Sequence, residues 1–473
     1  MNYKQIGFKC GIEIHNRLAT KHKLFCKCPA RFSTQKPYKT IMRKLRPVAG
    51  ELGERDVAAI HEFLKNKTYY YQVFKDTTCL IELDEEPPQP LNKEALEIGL
   101  QVCKLLKAEI PEEIHVMRKT VIDGSNTTGF QRTALIGTNG ILETSLGQVR
   151  ISNISIEEES AGIIEKKENQ TIFRLDRLGI PLIEIGTEPD IQSPEHAKEV
   201  AEKLGMIIRS TGKSQRGIGV TRQDINVSIK GGARVEIKGF QDLDMMPEII
   251  KNEIKRQQEL ISRGEKPEEQ TRVAKLDRTT EYMRPLPGGA RMYPETDIPP
   301  IIITKQFLSK IKIPETWESK LSKFKKILPG DMAEQIIKSE YLDLFERFKK
   351  IDPVLVANIF TSIIKDLKRK GFNINNLTAK HFEEIFKQYK KGKLPKGKIP
   401  EILETLCRDP NTKIKVEVIS EEQLRKIIKD IIEKNPDLVE NKKIGALMGD
   451  IMKITKGKAD GKLAMEILKE LLK

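Results

Sequence analysis

Residues 10–16 read Cys-Gly-Ile-Glu-Ile-His-Asn, and the way this stretch folds decides how the rest of the chain is read. Side chains alternate along a strand. As a strand, it turns Cys10, Ile12 and Ile14 one way and Gly11, Glu13 and His15 the other. The first set suits a core. The second puts an acid and an imidazole about 7 Å apart on one face. That pair could be two ligands of a cation, or a base and the group that orients it. A solvated surface pair is the alternative reading of this strand alone.

Other strands carry the same pattern. In residues 222–230, Ile225, Val227 and Ile229 share one face, and Asp224, Asn226 and Ser228 share the other. In residues 233–239, Val235 and Ile237 oppose Arg234, Glu236 and Lys238. The turn Lys230-Gly-Gly-Ala233 predicts a hairpin between them, with Asp224, Asn226, Glu236 and Lys238 on its polar side. In residues 152–160, Glu157 continues the polar side of Asn153 and Ser155, and Glu158 and Glu159 follow it. Glu184 lies inside the apolar run of residues 179–186, where an unpaired charge is costly. It needs a metal, an arginine or a proton.

Acids on so many apolar strands read as a cation cage. Carboxylate oxygens suit a hard cation such as Mg²⁺, which in enzymes commonly accompanies a phosphate substrate. Donors for phosphate lie in residues 123–133, Asp-Gly-Ser-Asn-Thr-Thr-Gly-Phe-Gln-Arg-Thr, and at Arg222, Lys238, Arg284 and Arg291. Ser125, Asn126 and Thr127 suit a turn equally well. There is no P-loop: Gly212-Lys-Ser214 is a near miss, because position 207 is isoleucine.

The totals bound the rest. With 473 residues, two to four domains are expected. A hydrophobic fraction of 38% and a charged fraction of 32% predict a soluble globular protein. No apolar run is long enough for a membrane helix, and the N-terminal stretch has no secretory apolar region. A cytoplasmic protein without membrane contact is expected. Six scattered cysteines do not make a disulfide framework. Cys26 and Cys28 could be half of a zinc site, but no second close pair exists. The net charge of +15 is uneven: residues 301–473 hold 37 basic and 25 acidic residues. A basic C-terminal part suits a polyanion such as RNA or DNA; solvated helix faces are the alternative.

Short alternating segments and helical patterns mix through residues 1–300, an α+β body of mostly antiparallel strands. Strands are predicted at 8–18, 68–74, 77–86, 147–159 and 234–240. Helices are predicted around 54–66, 93–108, 193–211 and 246–264, the third opened by Ser193-Pro194-Glu195. Residues 283–300 hold five prolines and two glycines and predict a rigid irregular loop. Everything after is helical, with a basic hinge at 387–400. The expected division is a body at 1–300, a helical linker at 301–400 and a helical tail at 401–473.

These residues, in this order, resemble a known family. The carrying stretches are residues 11–18, 77–92, 121–133, 154–162, 174–197, 221–243 and 284–300, together with 442–472. They resemble the amidotransferases that convert glutamyl-tRNA(Gln) to glutaminyl-tRNA(Gln). The resemblance is greatest to the archaeal E-type subunit, a relative of the bacterial B-type. It implies a cradle of antiparallel sheet and helices, then a helical linker and a small tRNA-binding tail. It implies ATP and Mg²⁺ as cofactors and phosphorylation of the γ-carboxylate of tRNA-bound glutamate. Ammonia would come from an asparaginase-like D-type partner, with two copies of each polypeptide in the assembly. By the same matching, Glu13, His15, Glu157, Glu158, Glu184 and Glu236 are cation ligands. Glu13, His15, Glu157, Glu184 and Asp224 form the catalytic set. Ser125, Asn126, Thr127, Arg132, Lys238 and Arg284 are candidate nucleotide contacts, and Pro285, Pro287 and Pro294 shape their loop.

The chain also departs from the family. The archaeal E-type usually carries a domain resembling one in bacterial aspartyl-tRNA synthetases after the fourth predicted helix. Here about twenty residues, 262–281, stand in that place, too few for a domain. Two alternatives stay open. One is a bacterial B-type polypeptide working with A-type and C-type partners on Glu-tRNA(Gln) or Asp-tRNA(Asn). The other is a non-catalytic tRNA-binding protein.

Overall fold

The structure is a computed structural model. It describes residues 2–47, 57–215, 219–240, 242–286, 292–339, 341–412, 421–440, 443–455 and 461–472, with isolated positions between them. Pro287 and Arg291 lie outside the described residues. The chain forms two compact units, Met1–Trp317 and Glu318–Lys473.

The first unit begins with β1 (Lys9–Arg17), β2 (Lys39–Arg43), α1 (Val57–Leu64), β3 (Thr68–Val73) and α2 (Lys93–Leu105). Next come β4 (Glu113–Ile114), β5 (Val116–Thr120), β6 (Phe130–Thr144), β7 (Gly147–Glu158), β8 (Gly162–Lys166), β9 (Gln170–Arg174) and β10 (Pro181–Thr187). It continues with α3 (Pro194–Ser210), β11 (Thr221–Ser228), β12 (Val235–Lys238), α4 (Met246–Ser262), β13 (Gln270–Ala274) and β14 (Thr280–Pro285). It closes with β15 (Met292–Pro294), β16 (Ile301–Ile302) and α5 (Lys305–Lys310).

One ten-stranded sheet dominates, in the order β14-β13-β12-β11-β1-β10-β7-β6-β5-β15. Every neighbouring pair is antiparallel except β12 with β13. This is the expected α+β architecture. The segment 10–16 lies at its middle, paired with β10 on one side and β11 on the other. Cys10, Ile12 and Ile14 are fully buried, in one core with α2, α3 and α4. α3 shows why a helix settles there. Ser193 caps it by accepting from the His196 amide, and Pro194 opens the first turn. Ala197, Val200, Ala201, Leu204 and Ile208 then form one buried stripe.

Helices cover one face of this sheet and leave much of the other face for the site. A smaller sheet, β2-β3-β9-β8, helps to shape that open face. From β3, the Tyr69 hydroxyl donates to Ile122 O at 3.1 Å and the Tyr71 hydroxyl to Gly124 O at 2.8 Å. They pin the loop between β5 and β6. Gly124 has φ +86°, and a Cβ there would run into the Tyr69 ring, so only glycine fits under the tyrosine.

Two expectations are corrected. Residues 77–86 are not a strand; they form successive turns, because Cys79 and Glu82 fold back onto Cys26, Cys28 and Lys23. The loop at 283–300 is less irregular than its prolines suggest. Residues 283–285 end β14, and residues 292–294 form β15, which pairs with β5. Proline is tolerated there because both sit at sheet edges.

The second unit is helical: α6 (Trp317–Lys325, entering from the first unit), α7 (Met332–Lys338), α8 (Leu342–Phe348), α9 (Pro353–Asn358), α10 (Ile364–Arg369), α11 (Ala379–Lys390), α12 (Ile399–Arg408), α13 (Glu421–Lys434), α14 (Pro436–Glu440), α15 (Ile444–Ile454) and α16 (Gly461–Leu471). Residue 400 falls inside α12. Leu424, Ile428, Ile431, Leu447, Ile451, Ala464, Ile467 and Leu468 make a small core of their own. Among the described residues, no helix is long and apolar enough to cross a membrane.

Candidate functional site

The open face of the large sheet carries a row of polar side chains, one or two from each of nine consecutive strands. In sheet order they are Arg284, Thr271, Glu236 with Lys238, Asp224 with Arg222, Glu13 with His15, Glu184, Glu157, Gln131 and Lys119. The register aligns them. Glu13 stands opposite Asp224, His15 opposite both Glu184 and Arg222, Asn226 opposite Glu236, and Lys119 opposite Gln131. Directly opposed residues share a face, so strands distant in sequence deliver their polar side chains to one place. All but Thr271 line a single cavity of about 380 Å³, with Asp123, Ser125 and Ser160.

Within it, Glu13, His15 and Glu184 bring ligand atoms within 4.8 Å of one another, and so do Glu13, Asp224 and Glu236. The two trios share Glu13. Two lysines are interleaved. Lys119 Nζ is 2.5 Å from Glu157 and 3.5 Å from Glu184. Lys238 Nζ is 2.6 Å from Asp224 and 3.0 Å from Glu236. His15 Nε2 lies 3.1 Å from Glu184, whose other oxygen accepts from Asn153 at 3.2 Å.

Six carboxylates against two lysines and two arginines leave the cavity with a surplus of negative charge. The crowding shows in the proton affinities. Burial, then the charge of Glu184, pushes the Glu13 carboxyl up to about 7, with Lys238 opposing. Burial disfavours a charged His15, but its bond to Glu184 and the charges of Glu184, Asp224 and Glu157 raise it above its ordinary value. Burial would also raise Glu184, yet Lys119 and His15 hold it well below the usual carboxylate range. A surplus of negative charge with oxygen-rich trios fits Mg²⁺, which binds through a few carboxylates and leaves positions for phosphate and water.

Some of the residues singled out from the sequence lie elsewhere. Glu13, His15, Glu157, Glu184, Asp224, Glu236, Lys238 and Arg284 line the cavity, and Ser125 reaches its rim. Glu158, Arg132, Asn126 and Thr127 are not among its lining residues. Period-two alternation turns Glu158 and Arg132 to the opposite face, where Arg132 Nε is 2.7 Å from Glu295 and Nη1 is 3.4 Å from Glu158. Arg118 also bonds Glu295. Thr127 is buried and donates to Glu82 O at 2.7 Å, and the Asn126 carbonyl accepts from the Gly129 amide. Both build the turn. Ser125 is held by Asp123, which accepts from its amide and its hydroxyl.

Sequence reasoning missed Lys119, Gln131 and Asp123. A short strand of mixed residues, Val116–Thr120, carries no sign of what it faces. Of a second cluster it named only one half, Cys26 and Cys28. Cys26, Cys28, Cys79 and Glu82 bring their ligand atoms within 4.8 Å. Three thiols and a carboxylate are four ligands of the kinds that a tetrahedral zinc ion takes. The close second pair that seemed missing is Cys79 with Glu82, three residues apart on the turns at 77–86. Glu82 is anchored there by Lys23 Nζ at 2.8 Å and by the Cys79 amide at 2.8 Å.

Comparison with known proteins agrees with this architecture. A family model described as the GatB/GatE catalytic domain matches residues 8–309, which hold the whole cavity. A second, described as a GatB domain, matches residues 343–472. The chain belongs to the GatB/GatE family. Its similar relatives include the E subunit of glutamyl-tRNA(Gln) amidotransferase from Methanocaldococcus jannaschii. That relative is 37% identical over 626 aligned positions, which take in 100% of this chain and 99% of the relative. The E subunits from Archaeoglobus fulgidus and Saccharolobus solfataricus are 37% and 35% identical, each with the same coverage. The alignments are far longer than this chain's 473 residues, so these relatives carry length that it lacks. Between α4 and β14 the chain has only a short connection containing β13.

Proposed function

We propose that this chain is the ATP- and Mg²⁺-dependent kinase and transamidase component of a glutamyl-tRNA(Gln) amidotransferase. It phosphorylates the γ-carboxylate of tRNA-bound glutamate and exchanges the phosphate for ammonia. The observation that carries this reading is the convergence of Glu13, His15, Glu184, Asp224 and Glu236, with two lysines, in one cavity of the family's catalytic domain.

The first step is phosphoryl transfer, which depends on positioning and on neutralising charge. The two trios that share Glu13 would hold Mg²⁺, which would supply that neutralisation. A floor of bare carboxylates repels the substrate's γ-carboxylate. Lys119, beside Glu157 and Glu184, and Lys238, between Asp224 and Glu236, offset part of that repulsion. ATP yields ADP and the γ-glutamyl phosphate. Ammonia then attacks the acyl carbon, inorganic phosphate leaves, and the new amide nitrogen gives up a proton. Glu13, with a proton affinity near neutrality, suits the acceptor role. A second cavity of about 310 Å³, lined by Glu13, Gly11, Asn153, Gly186, Asn226 and Ser228 among others, continues along the same face and offers ammonia a polar approach.

The partner in this reading is an asparaginase-like D-type polypeptide that makes the ammonia, two of each per assembly, in the cytoplasm. The length missing relative to the E-type relatives favours testing a second partner set, the bacterial A-type and C-type polypeptides. Copurification with an asparaginase-like or an amidase-like chain decides between them. The activity is tested with Glu-tRNA(Gln), ATP, Mg²⁺ and ammonium chloride. Glutaminyl-tRNA(Gln) and ADP are the expected products. Tight tRNA binding without turnover, with either partner set, favours a non-catalytic binder and removes the kinase reading.

A further inference from the structure

Beyond His15 the polar face changes sign. Arg17 is the next residue of β1 on that face, four positions past Glu13 and so about 13 Å from it along the strand. Arg222 stands opposite His15 on β11. Arg177, just before β10, donates to Ser160 O at 2.7 Å and Ala161 O at 3.0 Å. Ser160 and Arg222 both line the catalytic cavity.

Three guanidinium groups gather here around one carboxylate. Glu159, 1% exposed, is 2.8 Å from Arg222 Nη2 and 3.9 Å from Arg177 Nη2. The nearby Asp176 is already paired with Arg174. Arg17 is 5% exposed and has no ion-pair partner among the described residues. Its Nε is buried without a hydrogen-bond acceptor, and its guanidinium lies 5.2 Å over the Phe32 ring. A buried cation left without an anion is costly, so the cluster is short of one negative ligand. One atom is orphaned in the opposite sense: Glu159 Oε2 is buried and accepts no hydrogen bond.

An anion for Arg17 beside a donor for Glu159 describes a phosphate next to a ribose hydroxyl. We propose that Arg17, Arg177, Arg222 and Glu159 form a subsite for the last phosphodiester of the substrate RNA's 3′ end, with the acylated ribose leading toward the carboxylate floor. The subsite is separate from the Mg²⁺ trios and sits where an ester-linked amino acid would bridge the two. Guanidinium is the group suited to such a contact, because its planar fork pairs with two phosphate oxygens. That the phosphate belongs to RNA rests on the function proposed above; that a phosphate binds does not.

The test uses the full chain and the unacylated trinucleotide CpCpA, with its last linkage either a phosphodiester or an uncharged methylphosphonate. The wild type is expected to prefer the phosphodiester about tenfold or more, as for loss of one charge-assisted contact. R17Q and R222Q should bind both forms alike, and R17K should keep part of the preference. The melting temperature of R17Q should not fall, because the change removes an unpaired buried cation. If it does fall, the half-exposed Arg222→Gln carries the readout. A wild type indifferent to the linkage, or folded R17Q and R222Q proteins that both keep the full preference, overturns the subsite. So does a rise in KM for ATP in these variants with KM for Glu-tRNA unchanged, which assigns the arginines to the nucleotide. Linkage preference without any glutaminyl product refutes the enzymatic reading and keeps the subsite.

Discussion

Glu157 and Glu158 are neighbours in sequence, buried at the same end of the same strand, and they live in opposite electrostatic worlds. On the open face, Glu157 joins five other carboxylates that outnumber the two lysines and two arginines among them. On the core face, two buried acids, Glu158 and Glu295, meet Arg118 and Arg132, two for two, and only the exposed Asp297 reaches Arg118 from outside, at 3.4 Å. A matched set satisfies itself and holds the fold. An unmatched set has a ligand still to bind. Composition does not separate the two faces; the count of charges per face does.

That contrast is open to direct attack, and the largest effect falls on the unmatched face. His15→Ala and Glu184→Gln are expected to lower kcat for amidation about 10²–10⁴-fold, with tRNA binding retained and melting little changed. Normal turnover in either variant removes that residue from the site. A melted Glu184→Gln protein assigns Glu184 to structure instead. On the matched face the outcome reverses. Glu158→Ala leaves Arg132 partly unpaired in the interior and should cost about 3–5 kcal/mol of unfolding free energy, read by urea denaturation. The molecules that stay folded should keep the wild-type kcat.

A third test sets the thiol cluster against the carboxylate floor. Purified protein is expected to carry about one zinc per chain, measured by elemental analysis, and Cys79→Ser should lose it together with several degrees of thermal stability. Stripping Mg²⁺ should stop catalysis reversibly and leave the melting temperature nearly alone. If Cys79→Ser keeps both metal and stability, the four side chains are only packed thiols.

The smallest effect concerns pH. Glu13 is held at about 7, above its ordinary value, so the folded protein grips that proton more tightly than the unfolded chain does. Without a cation, this proton stabilises the fold at low pH, and the contribution is lost as pH rises through about 7. A cation must displace the proton, and His15, also raised, acts in the same direction. Mg²⁺ affinity should therefore climb about tenfold between pH 6 and 7 and level off above, as calorimetry can measure. A flat profile across that range places the cation away from Glu13.

Much of this is legible in the residues alone. Alternation in residues 10–16, 222–230 and 233–239 separates core from polar side chains correctly, because a strand's period is set by backbone geometry alone. The cap at Ser193 and the stripe along α3 are equally local. The same rule, applied strictly, parts Glu157 from Glu158; only the family resemblance puts them together. What stayed hidden depends on partners far away in the chain. Lys119 reaches Glu157 and Glu184 across three neighbouring strands, Arg17 comes to lie near Arg177 and Arg222, about 160 and 200 positions on, and Cys79 finds Cys26 only because residues 77–86 turn instead of extending.

By itself, then, the order of residues determined which side chains share a face of each strand and where the helices begin and end, since these follow from rotations within a few bonds. Which strands lie side by side, and so which acids are neutralised and which are left in surplus, was decided only when the ten strands took their places. Charges sum across space, and no local pattern records who stands opposite whom.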